Sequence, residues 1–143
     1  MIEAQSWTIP DEAAMRLLGA QMASEFKQGD VIYLHGNLGA GKTTFARGLL
    51  AGLGWMGEVR SPTFNLLQDY PTHPPVLHAD LYRVASWEGI GVEDYLDSHL
   101  CLIEWPERME GLLTDEEVFH LRIEFDAEDP SARQVTLTPP QSC

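Results

Sequence analysis

Two stretches of the chain are predicted to be long helices. The first has apolar residues at every third or fourth position, namely Met15, Leu18, Met22 and Phe26. This spacing predicts an amphipathic helix whose first turn is residues 10–12 and which stops near Gly29. The second stretch predicts a helix over Lys42 to Leu53, closed by a glycine, and residues 91–96 predict a shorter helix.

Other segments are short and apolar, or alternate between apolar and polar residues as half-buried strands do. They are residues 6–9, 31–35, 64–67, 76–79, 100–103, 119–125 and 134–137. Because strands outnumber helices, we expect an α/β fold with a strand-rich central sheet and few helices, to which a plain doubly wound Rossmann domain is a poor match. The length suits a single domain over residues 1–143. We expect the tail after about residue 126 to be the most mobile part.

A glycine-rich loop connects the second predicted strand to the second long helix. Gly36–Thr43 matches the phosphate-binding pattern G-x-x-x-x-G-K-[ST] in the required strand–loop–helix context. Such a loop closes backbone N–H groups around phosphate oxygens, while Lys42 reaches the β- and γ-phosphates and the Thr43 hydroxyl ligates Mg²⁺. The alternative is an ordinary glycine-rich turn. The expected nucleotide contacts are Asn37, Leu38, Gly39, Ala40, Gly41, Lys42, Thr43 and Thr44.

Two carboxylates follow apolar strands, where a nucleoside triphosphatase holds its metal ion or its attacking water. Glu104 comes after four apolar residues and is the expected metal ligand together with Thr43. Asp80 follows a similar strand interrupted by His78, and it either completes the Mg²⁺ shell through water or orients the attacking water. Which carboxylate binds Mg²⁺ directly stays open, as does the alternative that either one simply faces solvent.

Thr63 is the third expected catalytic residue. The segment Arg60–Thr63 follows the loop by about twenty residues, so a threonine there is placed to sense the γ-phosphate or Mg²⁺, as switch segments do. A turn set by Pro62 is an equal alternative. Arg83 is a candidate for stabilising phosphate charge, or else a member of a surface ion pair. Adenine contacts are undetermined, with residues 8–10 and Arg133 as candidates.

Charge narrows the classes of partner. The chain has nine Lys and Arg against 22 Asp and Glu, a formal charge of −13, and residues 72–143 alone hold four basic and 15 acidic side chains. A surface this acidic repels phosphate backbones, so we expect no DNA binding, no membrane binding and no unaided grip on RNA. The two cysteines match neither a disulfide framework nor a metal site, which favours the cytoplasm.

Four segments occur in order and at fitting distances. They are Gly36-Asn37-Leu38-Gly39-Ala40-Gly41-Lys42-Thr43-Thr44-Phe45, Ser61-Pro62-Thr63-Phe64, His78-Ala79-Asp80-Leu81-Tyr82-Arg83 and Leu102-Ile103-Glu104-Trp105-Pro106-Glu107. The chain thereby resembles the TsaE (YjeE) family, bacterial ATPases of tRNA threonylcarbamoyladenosine biosynthesis. The phosphate loop alone is generic, whereas the four segments together are highly specific. The resemblance runs from about Trp7 to about Phe125.

This resemblance implies a P-loop fold, ATP and ADP as nucleotides, Mg²⁺, and a nucleotide cycle within an assembly that contains the TsaD and TsaB proteins. That assembly places threonylcarbamoyl on the adenine at position 37 of tRNA, and the acidic chain is expected to meet tRNA only through its partners. Because the chain has few arginines for the transition state, we expect slow ATP hydrolysis alone and faster hydrolysis with the partners.

Two other functions compete with an ATPase. A small-molecule P-loop kinase shares the loop but needs a lid and several arginines, and none of the seven arginines here cluster between the loop and Glu104. The second alternative is a non-catalytic binding module in which nucleotide only orders the fold. Measurements of nucleotide turnover would distinguish it from an ATPase. A GTPase is excluded, because neither asparagine is followed by the lysine of an N-K-x-D segment.

Overall fold

The computed structural model describes residues 3–37, 39–59 and 66–141. Within them, the strands are β1 (Gln5–Ile9), β2 (Val31–His35), β3 (Leu67–Tyr70), β4 (Val76–Asp80), β5 (Leu100–Glu104), β6 (Phe119–Phe125) and β7 (Arg133–Thr138). The α-helices are α1 (Glu12–Met22) and α2 (Lys42–Gly52). Short 3₁₀ turns are Ala23–Glu25, Val92–Tyr95, Pro106–Met109 and Asp115–Glu117. The predicted α/β class, with a strand-rich sheet and few helices, is confirmed.

All seven strands belong to one sheet, in the order β1-β7-β6-β2-β5-β4-β3. The inner strands β6, β2, β5 and β4 are parallel, while β7, β1 and β3 add to them in antiparallel pairs. The carboxyl ends of β2, β4 and β5 therefore meet at one edge of the sheet, the edge at which parallel α/β sheets bind ligands. The glycine-rich loop leaves β2 at this edge.

Helix α1 is fixed at its start by Asp11, whose carboxylate accepts a hydrogen bond from the Ala14 N–H at 2.8 Å. Pro10 therefore precedes the cap and lies outside the first turn to which the sequence assigned it. The helix ends at Met22, earlier than predicted, because a 3₁₀ turn takes over and the backbone at Phe26 is extended.

The two helices lie against each other unusually closely. A Cβ atom on Gly48 would collide with the carbonyl oxygen of Arg16, and one on Gly19 with that of Phe45. Only glycine lets the backbones approach this far. Since α2 begins directly after the loop, this contact helps to fix where the loop lies.

Alternate residues of β2 enter two cores on opposite faces of the sheet. Ile32 and Leu34 pack with the two helices on one face. Val31 and Tyr33 pack on the other, which is covered by the loops and 3₁₀ turns between residues 81 and 118. Burial on both faces explains why β2 is apolar throughout instead of alternating.

Strand boundaries differ from the sequence prediction mainly at β3. The predicted strand at 64–67 lies partly outside the described residues, and β3 instead spans Leu67–Tyr70. The helix predicted at 91–96 is a 3₁₀ turn. Strand β7 pairs with both β1 and β6, so part of the segment after residue 126 belongs to the sheet. The mobility of that tail stays a prediction.

Candidate functional site

Glycines shape the loop between β2 and α2. Gly39 and Gly41 have φ angles of 82° and 122°, which side chains disfavour. Gly36 has no room for a side chain, since its Cβ would lie 2.7 Å from the carbonyl oxygen of Ile123 on β6. The Ala40 N–H donates to the Asn37 carbonyl at 3.0 Å and tightens the turn. The sequence thus specifies a loop that wraps over the carboxyl end of β2.

Lys42, the first residue of α2, points back over this loop. Its side chain is buried, and its Nζ donates to the carbonyl of Gly36 at 2.9 Å. The same ammonium lies 3.8 Å from Oε1 of Glu104 and 5.2 Å from the centre of the Trp105 ring. A buried cation is thereby held by one carbonyl, one carboxylate and one aromatic face.

The two expected carboxylates lie side by side. Asp80 and Glu104 end β4 and β5 and are directly opposite each other in the parallel pairing of those strands. Glu104 is only 4% exposed, whereas Asp80 is partly exposed. Both residues lie at strand ends, and Glu104 contacts Lys42 of the loop. Their roles in catalysis and metal binding stay predictions.

Burial raises the pKa of Asp80, and the neighbouring charge of Glu104 adds to this effect. The N–H of Tyr82, which donates to Oδ1 of Asp80 at 3.1 Å, opposes the shift by stabilising the carboxylate. A carboxylate whose pKa is raised holds a proton more readily than a solvent-exposed aspartate. This property suits a group that accepts a proton or orients water.

His78 is a member of the site that the sequence analysis missed. It lies on β4 with no exposed surface, and its Nε2 is 2.6 Å from Oε2 of Glu104. Its Nδ1 is buried with no hydrogen-bond partner among the described residues. Glu104 is therefore held between His78 on one oxygen and Lys42 on the other. The available signal was a histidine interrupting an otherwise apolar strand.

Trp105 takes an unusual backbone conformation directly after Glu104. Its φ angle is 60°, the left-handed region that non-glycine residues rarely adopt. This bend turns the chain away from the sheet and places the indole beside Tyr82, with ring centres 4.7 Å apart, and beside the Lys42 ammonium. Strain of this kind concentrates at functional sites.

Two clefts flank the glycine-rich loop. The larger has a volume of about 620 Å³ and is bordered by Gly36, Asn37, Lys42, Trp105 and residues 122–125. The smaller has a volume of about 270 Å³ and is bordered by Asp11, Met15, Gly39, Gly41, Thr44 and Arg133. The loop forms a wall of both, so a ligand that lies along it contacts residues from α1, α2, β6 and β7.

Arg133, a candidate for adenine binding, contacts the loop itself. Its Nε donates to the carbonyl of Ala40 at 3.0 Å, and its Nη1 donates to the carbonyls of Pro130 and Ala132. The guanidinium also lies over the Phe125 ring, 4.4 Å from its centre. Arg133 thus braces the loop from β7.

The remaining predicted residues differ in where the structure places them. Thr43 and Thr44 lie in the first turn of α2 and are partly buried, next to Lys42. Leu38 and Thr63 lie outside the described residues, as do the other residues from 60 to 65. Arg83 is exposed just beyond β4.

The donor set at this edge suits Mg²⁺ only in part. The carboxylate of Glu104 and the hydroxyl of Thr43 are hard oxygen ligands of the kind Mg²⁺ prefers. Within residues 3–37, 39–59 and 66–141, however, no three His, Cys, Asp or Glu side chains are grouped closely enough to hold a metal ion. A cation bound here needs further oxygen ligands, which phosphate groups supply.

In the described part of the chain, no helix is long and apolar enough to cross a membrane.

Comparison with known proteins identifies the family. The family model "Threonylcarbamoyl adenosine biosynthesis protein TsaE" matches residues 9–135. The chain belongs to the TsaE family. The TsaE protein of Haemophilus influenzae is 38% identical, with 82% of this chain and 80% of that protein covered. The TsaE proteins of Streptomyces coelicolor and Bacillus subtilis are 38% and 34% identical and cover 87% and 92% of this chain.

A solved structure gives the same picture. The crystal structure of YdiB from Bacillus subtilis superimposes with a TM-score of 0.81 at 30% sequence identity, covering 97% of this chain and 87% of that one. The family resemblance predicted from the four sequence segments is confirmed. The TsaE family takes part in the biosynthesis of threonylcarbamoyladenosine in tRNA.

Proposed function

We propose that this TsaE-family protein binds ATP with Mg²⁺ and hydrolyses it within a cytoplasmic assembly containing TsaD and TsaB, which forms threonylcarbamoyladenosine at position 37 of tRNA. The observation that supports the proposal is the buried contact between Lys42, at the start of α2, and Glu104, at the end of β5. The Lys42 Nζ lies 3.8 Å from Oε1 of Glu104. One cation and one carboxylate, meeting where a glycine-rich loop wraps over a strand end, are the elements that phosphoryl transfer requires.

Each side chain has a distinct role in this proposal. Lys42 exchanges the Gly36 carbonyl for phosphate oxygens and neutralises their charge. Thr43 and Glu104 hold the metal ion, with His78 keeping one carboxylate oxygen fixed. Asp80, whose pKa burial raises, orients the attacking water and receives its proton. Mg²⁺ held by these residues would neutralise part of the negative charge of the phosphates.

The smaller cleft suits the rest of the nucleotide. Glu104 does not border it, and its border carries both Asp11 and Arg133. Carboxylates accept from ribose hydroxyls and the adenine amino group, and a guanidinium packs on a base. We assign the adenosine to this cleft.

Charge supports the dependence on partners. At −13 the chain repels tRNA, so TsaD and TsaB must provide the RNA-binding surface. The four sequence segments contain only two Lys or Arg side chains, Lys42 and Arg83. Little positive charge is therefore available to stabilise the transition state. An arginine supplied by a partner accelerates phosphoryl transfer by about 10³–10⁵ in other proteins. Hydrolysis by the isolated chain is therefore slow.

Calorimetry with ATP and ADP tests the binding site. Lys42→Ala should weaken ATP binding by about 2–4 kcal/mol, because a charge-assisted phosphate contact is lost. The chain offers a matched control, since Lys27 is its only other lysine and is exposed. Thr43→Ala should weaken binding with Mg²⁺ more than binding without it. Equal losses in both conditions would exclude Thr43 as a metal ligand.

Hydrolysis with purified TsaD and TsaB tests the reaction. The mixture should turn over ATP much faster than the isolated chain, and both Asp80→Asn and Glu104→Gln should abolish the stimulated rate. Asp80→Asn should leave ATP bound but uncleaved. An isolated chain that is as fast as the mixture would favour a free-standing kinase or hydrolase. Binding without turnover in either sample would favour a module that nucleotide merely orders.

A further inference from the structure

A further cavity, separate from the smaller cleft, adjoins the larger cleft and has no role in the proposed reaction. It has a volume of about 580 Å³ and lies between the end of β2 and the segment from residue 106 to residue 115. We name it the Tyr33 cavity, and its polar border is Tyr33, His35, Glu107, Glu110, Thr114 and Asp115. His35 and Glu107 border both spaces, so a ligand here would lie next to the nucleotide.

The hydroxyl of Tyr33 lacks a partner. The residue is 2% exposed, and its hydroxyl has no hydrogen bond within the described part of the chain. Burial, followed by the charges of Asp115 and Glu117, raises the pKa of this hydroxyl, so it stays protonated and can donate as well as accept. A buried hydroxyl without a partner costs free energy, and natural proteins rarely keep one without a reason.

His35 adds a hydrogen-bond acceptor. Burial, with smaller effects of Arg122 and His120, lowers its pKa to about 4, so its imidazole is neutral at pH 7. His120 Nε2 lies 2.7 Å from the carbonyl of Asp115 and must donate to it. His120 Nδ1 then accepts from His35 Nε2 at 2.9 Å. This leaves His35 Nδ1 as a lone-pair acceptor.

Three carboxylates complete the border. Glu107, Glu110 and Asp115 are exposed, and among the contacts of the described residues their carboxylates have neither a hydrogen-bond donor nor an ion-pair partner. Among the described residues, no Lys or Arg borders the cavity. The three carboxylates are not part of any group of three or more His, Cys, Asp or Glu side chains that could hold a metal ion among the residues that the structure describes. The cavity thus offers many dispersed acceptors to one broad, positively charged donor.

We propose that the Tyr33 cavity receives an arginine side chain of a partner protein, with the guanidinium between Asp115, Glu110 and the Tyr33 hydroxyl. A guanidinium is planar, carries five N–H donors and is less strongly hydrated than an ammonium, so it suits acceptors spread around a wide cavity. The volume is within the range of ordinary ligand pockets.

Charge and position favour a protein as the source of this group. The acidic border repels nucleic acid phosphates, and a chain of charge −13 attracts a basic protein surface. The inference rests on the proposed function only in taking TsaD or TsaB as that protein. The cavity could instead bind a free amine or a divalent cation, and the first experiment distinguishes these ligands from a guanidinium.

The first experiment uses the free chain without nucleotide. Methylguanidinium chloride is titrated at constant ionic strength while NMR follows the aromatic signals of Tyr33, His35 and His120. We expect saturable shifts with methylguanidinium, weaker ones with methylammonium and none with MgCl₂. Asp115→Asn should abolish the saturable shifts. No saturable shift with methylguanidinium, or an equal response to MgCl₂, would overturn the proposal.

The second experiment measures affinity for purified TsaD and TsaB by calorimetry. Asp115→Asn and Glu110→Gln should each weaken binding about tenfold, the loss of one hydrogen bond to a charged group. Glu116→Gln is the matched control, because it makes the same change in net charge at an exposed residue that does not border the cavity. Equal losses in all three variants would show general attraction between charged surfaces and overturn the proposal.

Tyr33→Phe gives a result that a structural role does not predict. It should weaken the complex several-fold while leaving the urea midpoint of the free chain unchanged or higher, because an unsatisfied hydroxyl is removed. Tyr95→Phe, which lies outside the cavity, should change neither. A lower midpoint with unchanged partner affinity would make Tyr33 merely structural and overturn the proposal.

The two proposals fail in different ways. If wild type binds methylguanidinium but neither TsaD nor TsaB, the assembly assigned to this chain is wrong while the cavity is a guanidinium site for another protein. If wild type and all cavity variants bind the partners equally, the assembly stands and the cavity inference falls.

Discussion

Replacement of His78 tests whether Glu104 is held in place by a buried hydrogen bond. The His78 Nε2 lies 2.6 Å from Oε2 of Glu104, His78 has no exposed surface, and Glu104 is 4% exposed. The only other charged contact of this carboxylate among the described residues is Lys42, at 3.8 Å. Loss of His78 therefore leaves a nearly buried carboxylate with one distant cation.

Two opposing effects set the magnitude. Loss of a hydrogen bond to a charged group costs about 1.5–3 kcal/mol. His78→Leu also removes the Nδ1 atom, which is buried without a partner, and this relieves about 1–3 kcal/mol of desolvation cost. The single variant therefore underestimates the bond. A double-mutant cycle with Glu104→Leu cancels the desolvation cost of Nδ1, because replacing His78 removes that cost whether or not Glu104 is present. We expect a coupling free energy of about 1.5–3 kcal/mol.

Urea unfolding measures this coupling. The four tryptophans provide a fluorescence signal, and midpoints are comparable if the denaturant slope is unchanged. The chain offers a control pair, His99 and Asp69, with a similar N–O distance of 2.9 Å but an aspartate side chain that is 53% exposed. Solvent screening should reduce its coupling below about 1 kcal/mol.

A coupling between His78 and Glu104 no larger than that of the control pair would refute this account of the site. The observed distance would then contribute nothing measurable, and His78 would be an ordinary core residue. If the coupling is as large as expected, His78→Leu should also weaken ATP binding with Mg²⁺ more than binding without it.

Three further outcomes follow from the structure. His35→Gln should reduce the loss of folding stability between about pH 6.5 and 4. The pKa of His35 is lowered to about 4 in the folded chain, so below about pH 6.5 protons bind the unfolded chain preferentially and destabilise the fold. Urea midpoints measured against pH would show this difference. Gly36→Ala should destabilise the chain severely, since the Cβ would lie 2.7 Å from the Ile123 carbonyl, whereas Gly39→Ala, at φ 82° in open space, should cost about 1–2 kcal/mol in thermal unfolding. Arg133→Met should lower stability by about 1–3 kcal/mol and speed proteolysis near the loop, because three carbonyls lose a donor.

Local features of the sequence determined most of the elements. The spacing of Met15, Leu18 and Met22 is a property of one helix face, and the glycines of the loop require backbone angles that follow from the missing side chain. Both signals depend on neighbours within a few residues. The strands β2 and β6 were therefore predicted with their observed bounds, while β3, in a more polar stretch, was misplaced.

Only the tertiary structure decided which side chains meet. Strand order brings His78 and Glu104 together across 26 residues, and β7 brings Arg133 to the carbonyl of Ala40 across 93. The contact between His35 and His120 likewise depends on parallel pairing of β2 with β6. Strand order results from many weak contacts summed over both cores, none of which is encoded by a short window of sequence. The loop and the strand ends at Asp80 and Glu104 were therefore predictable from the sequence, whereas the contacts of His78 with Glu104 and of His35 with His120 were not.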